Sequence, residues 1–207
     1  MAESNPNARL EAFSDGVFAI ALTLLIIDIK IPSTEKINTT ADLWLALKHI
    51  TPSILSFVLS FIVILITWVN HYNTIKLINR STPTFIYANG FLLLTVVFMP
   101  FPTSLMGEYI STDHAAPAVI LYNAVLAGSA VGWILLSSTA LKNRLAKNEK
   151  AAFQIRTSGK FAFFAFLLYT LCVIMAIWFP LAIAIVTTLT WIFWLIYGIN
   201  IRHEEMN

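Results

Sequence analysis

The chain has 207 residues, of which 58% are hydrophobic and 12% charged, with a mean hydropathy of +0.77. A soluble domain is about 25% charged, so too few polar side chains remain to clothe a water-facing surface, and the solvent is largely lipid. The formal charge of +2 and the scattered basic residues exclude a nucleic-acid-binding face, and the single cysteine, Cys172 in an apolar run, excludes an intrachain disulfide. The expected fold class is all-α: a polytopic membrane protein.

A helix needs roughly 20 mostly apolar residues to cross the hydrocarbon core. Six stretches qualify, which makes residues 1–207 a single six-helix transmembrane domain. The first span covers residues 10–31 and stops at Pro32. A signal peptide is not expected, because only Arg9 is basic before the span, Glu3 and Glu11 are acidic, and the apolar run is too long for an h-region. Residues 33–48 read as a short amphipathic helix at the outer interface, with Thr40 as its N-cap candidate. The second span, 51–78, opens near Pro52. The third, 83–106, carries Pro100 and Pro102, which should kink or end it. The fourth, 117–141, contains Gly128-Ser-Ala-Val-Gly132, a small-xxx-small pattern that marks close contact with a neighbouring helix. Residues 142–160 form a basic connector of modest helical pattern. A tight turn at Phe179-Pro180 divides the fifth span, 160–179, from the sixth, 180–201. There is no re-entrant filter loop, and the two halves share no repeat.

Lysine and arginine set the orientation. Arg9, Lys76, Arg80, Lys142, Arg144, Lys147, Lys150, Arg156, Lys160 and Arg202 fall on the side of the termini, and Lys30, Lys36 and Lys48 on the other. Ten against three puts both termini in the cytoplasm.

Ionisable groups within spans are functional candidates, because burying them costs a few kcal/mol or more. Asp28, near Lys30 and the interface, reads as a solvated helix end. Asp15 is deeper. Either it is a carboxylate favoured by the positive end of the first helix, or it belongs to an interhelical network with Ser14. Arg9 is its candidate countercharge, and Trp68 and His71 of the second span are candidate donors. Asn89 and Asn123 are further candidates for bonding across helices. At about 100° per residue, Phe13, Gly16, Leu24, Ile27 and Ile31 lie within roughly 40° of Ile20, with Thr23 at the margin and Ser14 and Asp15 more than 100° away. Such a stripe lines either a core, lipid or a pore. The histidines have no metal-ligand spacing, and no phosphate loop, H-E-x-x-H or G-x-S-x-G motif occurs, so neither an enzyme nor a cofactor is expected.

The run Arg9-Leu-Glu-Ala-Phe13-Ser14-Asp15-Gly16 resembles the signature of the transmembrane protein 175 family of potassium channels, in which R-x-x-x-F-S-D and a small residue open the first helix of each repeat. The pattern Trp68-x-x-His71 in the second span is a looser match. Animal members carry two six-helix repeats; with one, this chain is similar to the prokaryotic form, in which four copies surround one axis. The resemblance implies a pore lined by the first helices of a homotetramer. Its narrowest ring would be Ile20, seven residues after the motif phenylalanine, with Leu24 and Ile27 as further hydrophobic rings. Thr23 would be a pore-facing hydroxyl aiding selectivity, and Arg9, Phe13, Ser14, Asp15, Trp68 and His71 would pack between helices. The function implied is a leak-type potassium channel whose partners are its own copies, the bilayer and permeant K+. Asp28 or Glu35 near the outer mouth would enrich cations only weakly, because salt screens them. The competing readings are a proton- or cation-coupled transporter using Asp15, His71 and Arg9 as a relay, and a non-conducting subunit.

Overall fold

The computed structural model describes residues 6–205, with side chains described at all of these except 28, 36 and 200–205. The expectations attached to the side chains of Asp28, Lys36 and Arg202 lie outside the described residues. Among the described residues eight α-helices follow one another: α1 (Ala8–Leu24), α2 (Thr40–His49), α3 (Thr51–Lys76), α4 (Pro83–Phe98), α5 (Pro100–Tyr109), α6 (Ala115–Lys142), α7 (Glu149–Met175) and α8 (Pro180–Glu205). Six segments are long and apolar enough to cross a membrane: α1 with the 3-10 turn that extends it, α3, α4 with α5, α6, α7 and α8. The chain is an all-α, multi-pass membrane protein.

Proline and short polar side chains punctuate the helices. Pro52 and Pro83 stand in the first turns of α3 and α4, where no intrahelical partner for an N–H is lost. Thr82 and Asn148 cap α4 and α7 by accepting from the amides of Phe85 (3.4 Å) and Ala151 (2.8 Å). Met99, between α4 and α5, keeps helical angles (φ −54°, ψ −38°). Pro100 therefore kinks this span without ending it.

Three boundaries differ from expectation. The first span ends in a 3-10 turn over Leu25–Asp28, and Ile29 is already extended, so the helix stops short of residue 31. The residue before Pro32 is itself biased away from the α region. The N-cap of α2 is Thr39, one residue before the candidate Thr40. Its hydroxyl accepts from the Asp42 amide (3.2 Å), while the Asp42 carboxylate accepts from the Thr39 amide (2.8 Å), a reciprocal capping box. Residues 142–160 are mostly helix: the loop is only 143–148, and the basic stretch from Glu149 is the start of α7. Lysine and arginine favour helix as readily as leucine does, so this helix outruns its apolar segment.

At the end of the bundle nearest residue 6, hereafter the near end, two loops are joined. α6 closes in a Schellman motif: Arg144 sits at φ 53°, the Leu145 amide donates to Ala140 O (2.9 Å) and the Arg144 amide to Leu141 O (3.1 Å). Leu145 then accepts from the Asn79 amide (2.8 Å), and the Lys147 amide donates to Leu77 O (2.9 Å). The Asn7 side chain donates to Ile78 O (3.2 Å), tying the start of α1 to the same place. Beneath lie buried Leu10, Ile75, Ile78, Phe85, Leu136 and Ile155.

Gly128 and Gly132 face α4. A Cβ on Gly132 would stand 3.1 Å from the Leu92 Cα, and one on Gly128 would stand 3.7 Å from Thr95 Cγ2. The small-xxx-small pattern thus brings two backbones together at Gly132. Two asparagines of α3 hold α8 by its main chain: Asn70 Nδ2 reaches Trp194 O (3.4 Å) and Asn73 Nδ2 reaches Gly198 O (3.1 Å).

Candidate functional site

Helix α1 packs on α3 and α4 through Leu10, Ser14, Phe18 and Ala21, and Leu25 continues this face. The spacing of four, four, three and four residues is one helical stripe. The opposite side, centred roughly 120° away, is bare: Phe13 is 62% exposed, Ile20 59%, Leu24 53% and Ile27 60%. Thr23 flanks this bare stripe. Its hydroxyl hydrogen is committed to the helix's own carbonyls, Ala19 O (2.9 Å) and Ile20 O (3.1 Å), which leaves its lone pairs free for a partner outside the helix.

Two polar residues of α1, the buried Ser14 and the exposed Asp15, bond to neighbouring helices. Trp68 Nε1 donates to Asp15 Oδ1 at 2.8 Å. Ser14, fully buried, accepts from Asn89 Nδ2 at 3.0 Å. The oxygen of the same carboxamide lies 2.6 Å from His71 Nε2. Because that oxygen can only accept, Nε2 carries the proton and donates. Phe18 closes over the imidazole, with ring centroids 5.4 Å apart. The Ser14–Asn89–His71 chain thereby bonds three helices in a buried place, where an unpaired polar group costs about 1–3 kcal/mol, whereas the Asp15–Trp68 pair is exposed.

The expected residues are thus only partly brought together. Ser14 and His71 belong to one chain of hydrogen bonds, with Asn89 as the link. Asp15 and Trp68 form a separate pair. Phe13 stands outside both, on the exposed stripe. Arg9 is exposed and is not the partner of Asp15: six residues apart on a helix is roughly 240° around the axis. The Arg9–Asp15–His71 relay is therefore not a connected path. Among the described residues Asn123 does not bond across helices either; its amide donates to Val119 O in its own helix (2.9 Å) and its buried Oδ1 has no partner there. Among the described residues no group of three His, Cys, Asp or Glu could hold a metal ion. The bridging role of Asn89 was open to the sequence, since Phe85, Ala88, Asn89 and Leu92 share the apolar face of α4, whereas the grip of Asn70 and Asn73 on main-chain carbonyls left no signal.

Residues 9–100 match the family model described as endosomal/lysosomal potassium channel TMEM175. The fold is that of the crystal structure of a lysosomal potassium-selective channel TMEM175 homolog from Chamaesiphon minutus, with a TM-score of 0.80 and 32% identity over 94% of this chain and 99% of that one. The chain belongs to the TMEM175 family. A potassium channel of Chamaesiphon minutus is 44% identical over 129 residues, 62% of this chain and 63% of that protein. One of Streptomyces collinus is 41% identical over 130 residues, 62% of each. The match therefore spans a little under two thirds of the length of these curated relatives. The region matched by the TMEM175 model holds the whole of the bare stripe and every member of both hydrogen-bonded groups.

Proposed function

We propose that four copies of this chain form a potassium-selective leak channel in a plasma membrane, with the α1 helices around a shared axis and both termini in the cytoplasm. The carrying observation is the division of α1: Ser14 and Asp15 of the motif bond to α4 and α3, while Ile20, Leu24 and Ile27 stand exposed on one stripe. A groove of 400 Å³ beside this stripe, between α1 and the kinked α4–α5 span, offers a neighbouring copy a seat. The names of the similar potassium channels support the same reading.

In this arrangement Ile20 forms the narrowest ring and Leu24 and Ile27 continue the apolar lining. A hydrophobic constriction gates by dewetting and strips water from a passing ion. Potassium gives up its hydration shell more readily than sodium, so the ring favours it. The outward lone pairs of Thr23 replace part of the lost water. The selectivity that results is moderate, weaker than that of a filter built from carbonyl rings.

Reconstitution into liposomes under opposed potassium and sodium gradients tests the reading. A reversal potential that follows the potassium gradient, carried by unitary currents, is expected. A potential indifferent to potassium, or slow saturable flux coupled to protons, overturns it.

A further inference from the structure

A second polar group lies at the opposite end of the bundle, the far end, outside the α1–α3–α4 network. A cavity of 420 Å³ opens there between the end of α1, α3 and the kinked α4–α5 span, and four of its lining side chains carry oxygen: Ser53, Ser60, Ser104 and Glu108. Ser53 and Ser60 are seven residues apart on α3, and Ser104 and Glu108 are four apart on α5, so each pair shares one helix face. The two faces meet where Ser53 Oγ donates to Glu108 Oε1 at 3.1 Å.

Ser60 is the informative member. It is only 1% exposed and lines the cavity, and its hydroxyl is not among the sealed, unpartnered polar atoms of the described residues, so it opens onto the cavity. It does not take even the carbonyl four residues back, as Thr67, Thr74 and Thr103 do. With no carbonyl of its own helix taken, that hydroxyl is left to meet whatever enters the cavity, water or an ion. One carboxylate and three hydroxyls are hard oxygen donors that together carry a single negative charge, which one alkali cation balances. At roughly 30 Å³ per water, the cavity holds such an ion with on the order of ten waters. Calcium takes about six to eight oxygen ligands, more than these four side chains supply.

We propose that Ser53, Ser60, Ser104 and Glu108 form a binding site for a partly hydrated monovalent cation, distinct from the α1 stripe. The site does not depend on α1 lining a pore. Thallium, a potassium surrogate, is the probe, and the full chain is crystallised with and without it. An anomalous peak between Glu108 and Ser60 is expected, abolished in Glu108→Gln and reduced several-fold in Ser60→Ala, with the peak retained in Thr23→Ala. A cavity without a thallium peak in the wild-type crystal, or a peak unchanged in both Glu108→Gln and Ser60→Ala, overturns the proposal. In solution, replacing choline by potassium at constant ionic strength raises the unfolding temperature of the wild type, and Ser60→Ala loses that rise; an equal rise in the variant overturns the site. Liposome flux on the same preparations reports on the channel reading separately, since a silent protein that still binds thallium here removes the pore and keeps the site.

Discussion

Asn89 and Asn123 are both buried asparagines in the middle of long helices, and their environments predict opposite responses to the same change. Asn89→Leu strands the His71 Nε2–H and removes the donor to Ser14; with each orphaned group costing about 1–3 kcal/mol, unfolding in detergent should shift by about 2 kcal/mol or more. Asn123→Leu removes an acceptor that already lacks a partner, so its stability should be unchanged or higher by about 1 kcal/mol. Equal losses in the two variants would contradict this assignment. On the other side of α1, Ile20→Asn should wet the constriction. Single-channel recording is expected to show larger conductance and weaker discrimination between potassium and sodium; an unaltered current removes Ile20 from the conduction path. Periodicity alone separated Ile20 from Ser14 and Asp15. It did not reveal which donor each polar group meets, because that depends on how α3 and α4 lie against α1, and Trp68 and His71, three residues apart, end on different partners.

For whole helices, backbone spacing decides what a substitution does. Gly132 lets α6 reach the Leu92 backbone, and a Cβ 3.1 Å from that Cα cannot be absorbed by turning a side chain. Gly132→Val should cost about 1–3 kcal/mol. Gly128→Ala, with ordinary contact at 3.7 Å, should stay within about 0.5 kcal/mol of the parent. Thermal unfolding of the two variants side by side checks the contrast. Helix α2 responds to pH instead. Hydrogen bonding with the Thr39 side chain and to the Asn38 and Thr39 amides holds the Asp42 carboxyl below the ordinary aspartate value of 3.8. A lowered native pKa means that the cap contributes fully above that ordinary value and is lost as pH falls through the native one. Protection of the α2 amides against hydrogen exchange, taken relative to the intrinsic rate at each pH, should therefore fall more on acidification in the parent than in Asp42→Ala; parallel profiles would disprove the cap. The sequence marked α2 clearly, because its polar cap and apolar residues coincide. It misplaced the start of α7, because hydropathy reports where lipid ends and says nothing about where a helix does.

The molecule as a whole was legible in its count of spans and hidden in their arrangement. Proline and charge delimit six crossings, yet the asparagine grip on α8 and the backbone approach of α6 to α4 are decided by three-dimensional fit. Assembly offers the sharpest test at this scale. Particle images of the purified protein should have fourfold symmetry, and Asp15→Ala, which frees the Trp68 indole, should lower the tetramer fraction and leave the ion preference of the surviving channels as it was. Altered preference in intact tetramers would instead give Asp15 a place beside the ions. Finally, the Asn79–Leu145 and Leu77–Lys147 main-chain bonds, with Asn7 on Ile78, rivet two loops and the start of α1, and so the ends of five crossings, together at one rim, whereas the other rim contains voids of 420 and 630 Å³. Such a barrel of staves is hooped at the base only, so any force that reshapes it, from membrane stretch to a change in bilayer thickness, will flare the open rim first and leave the hooped one in place.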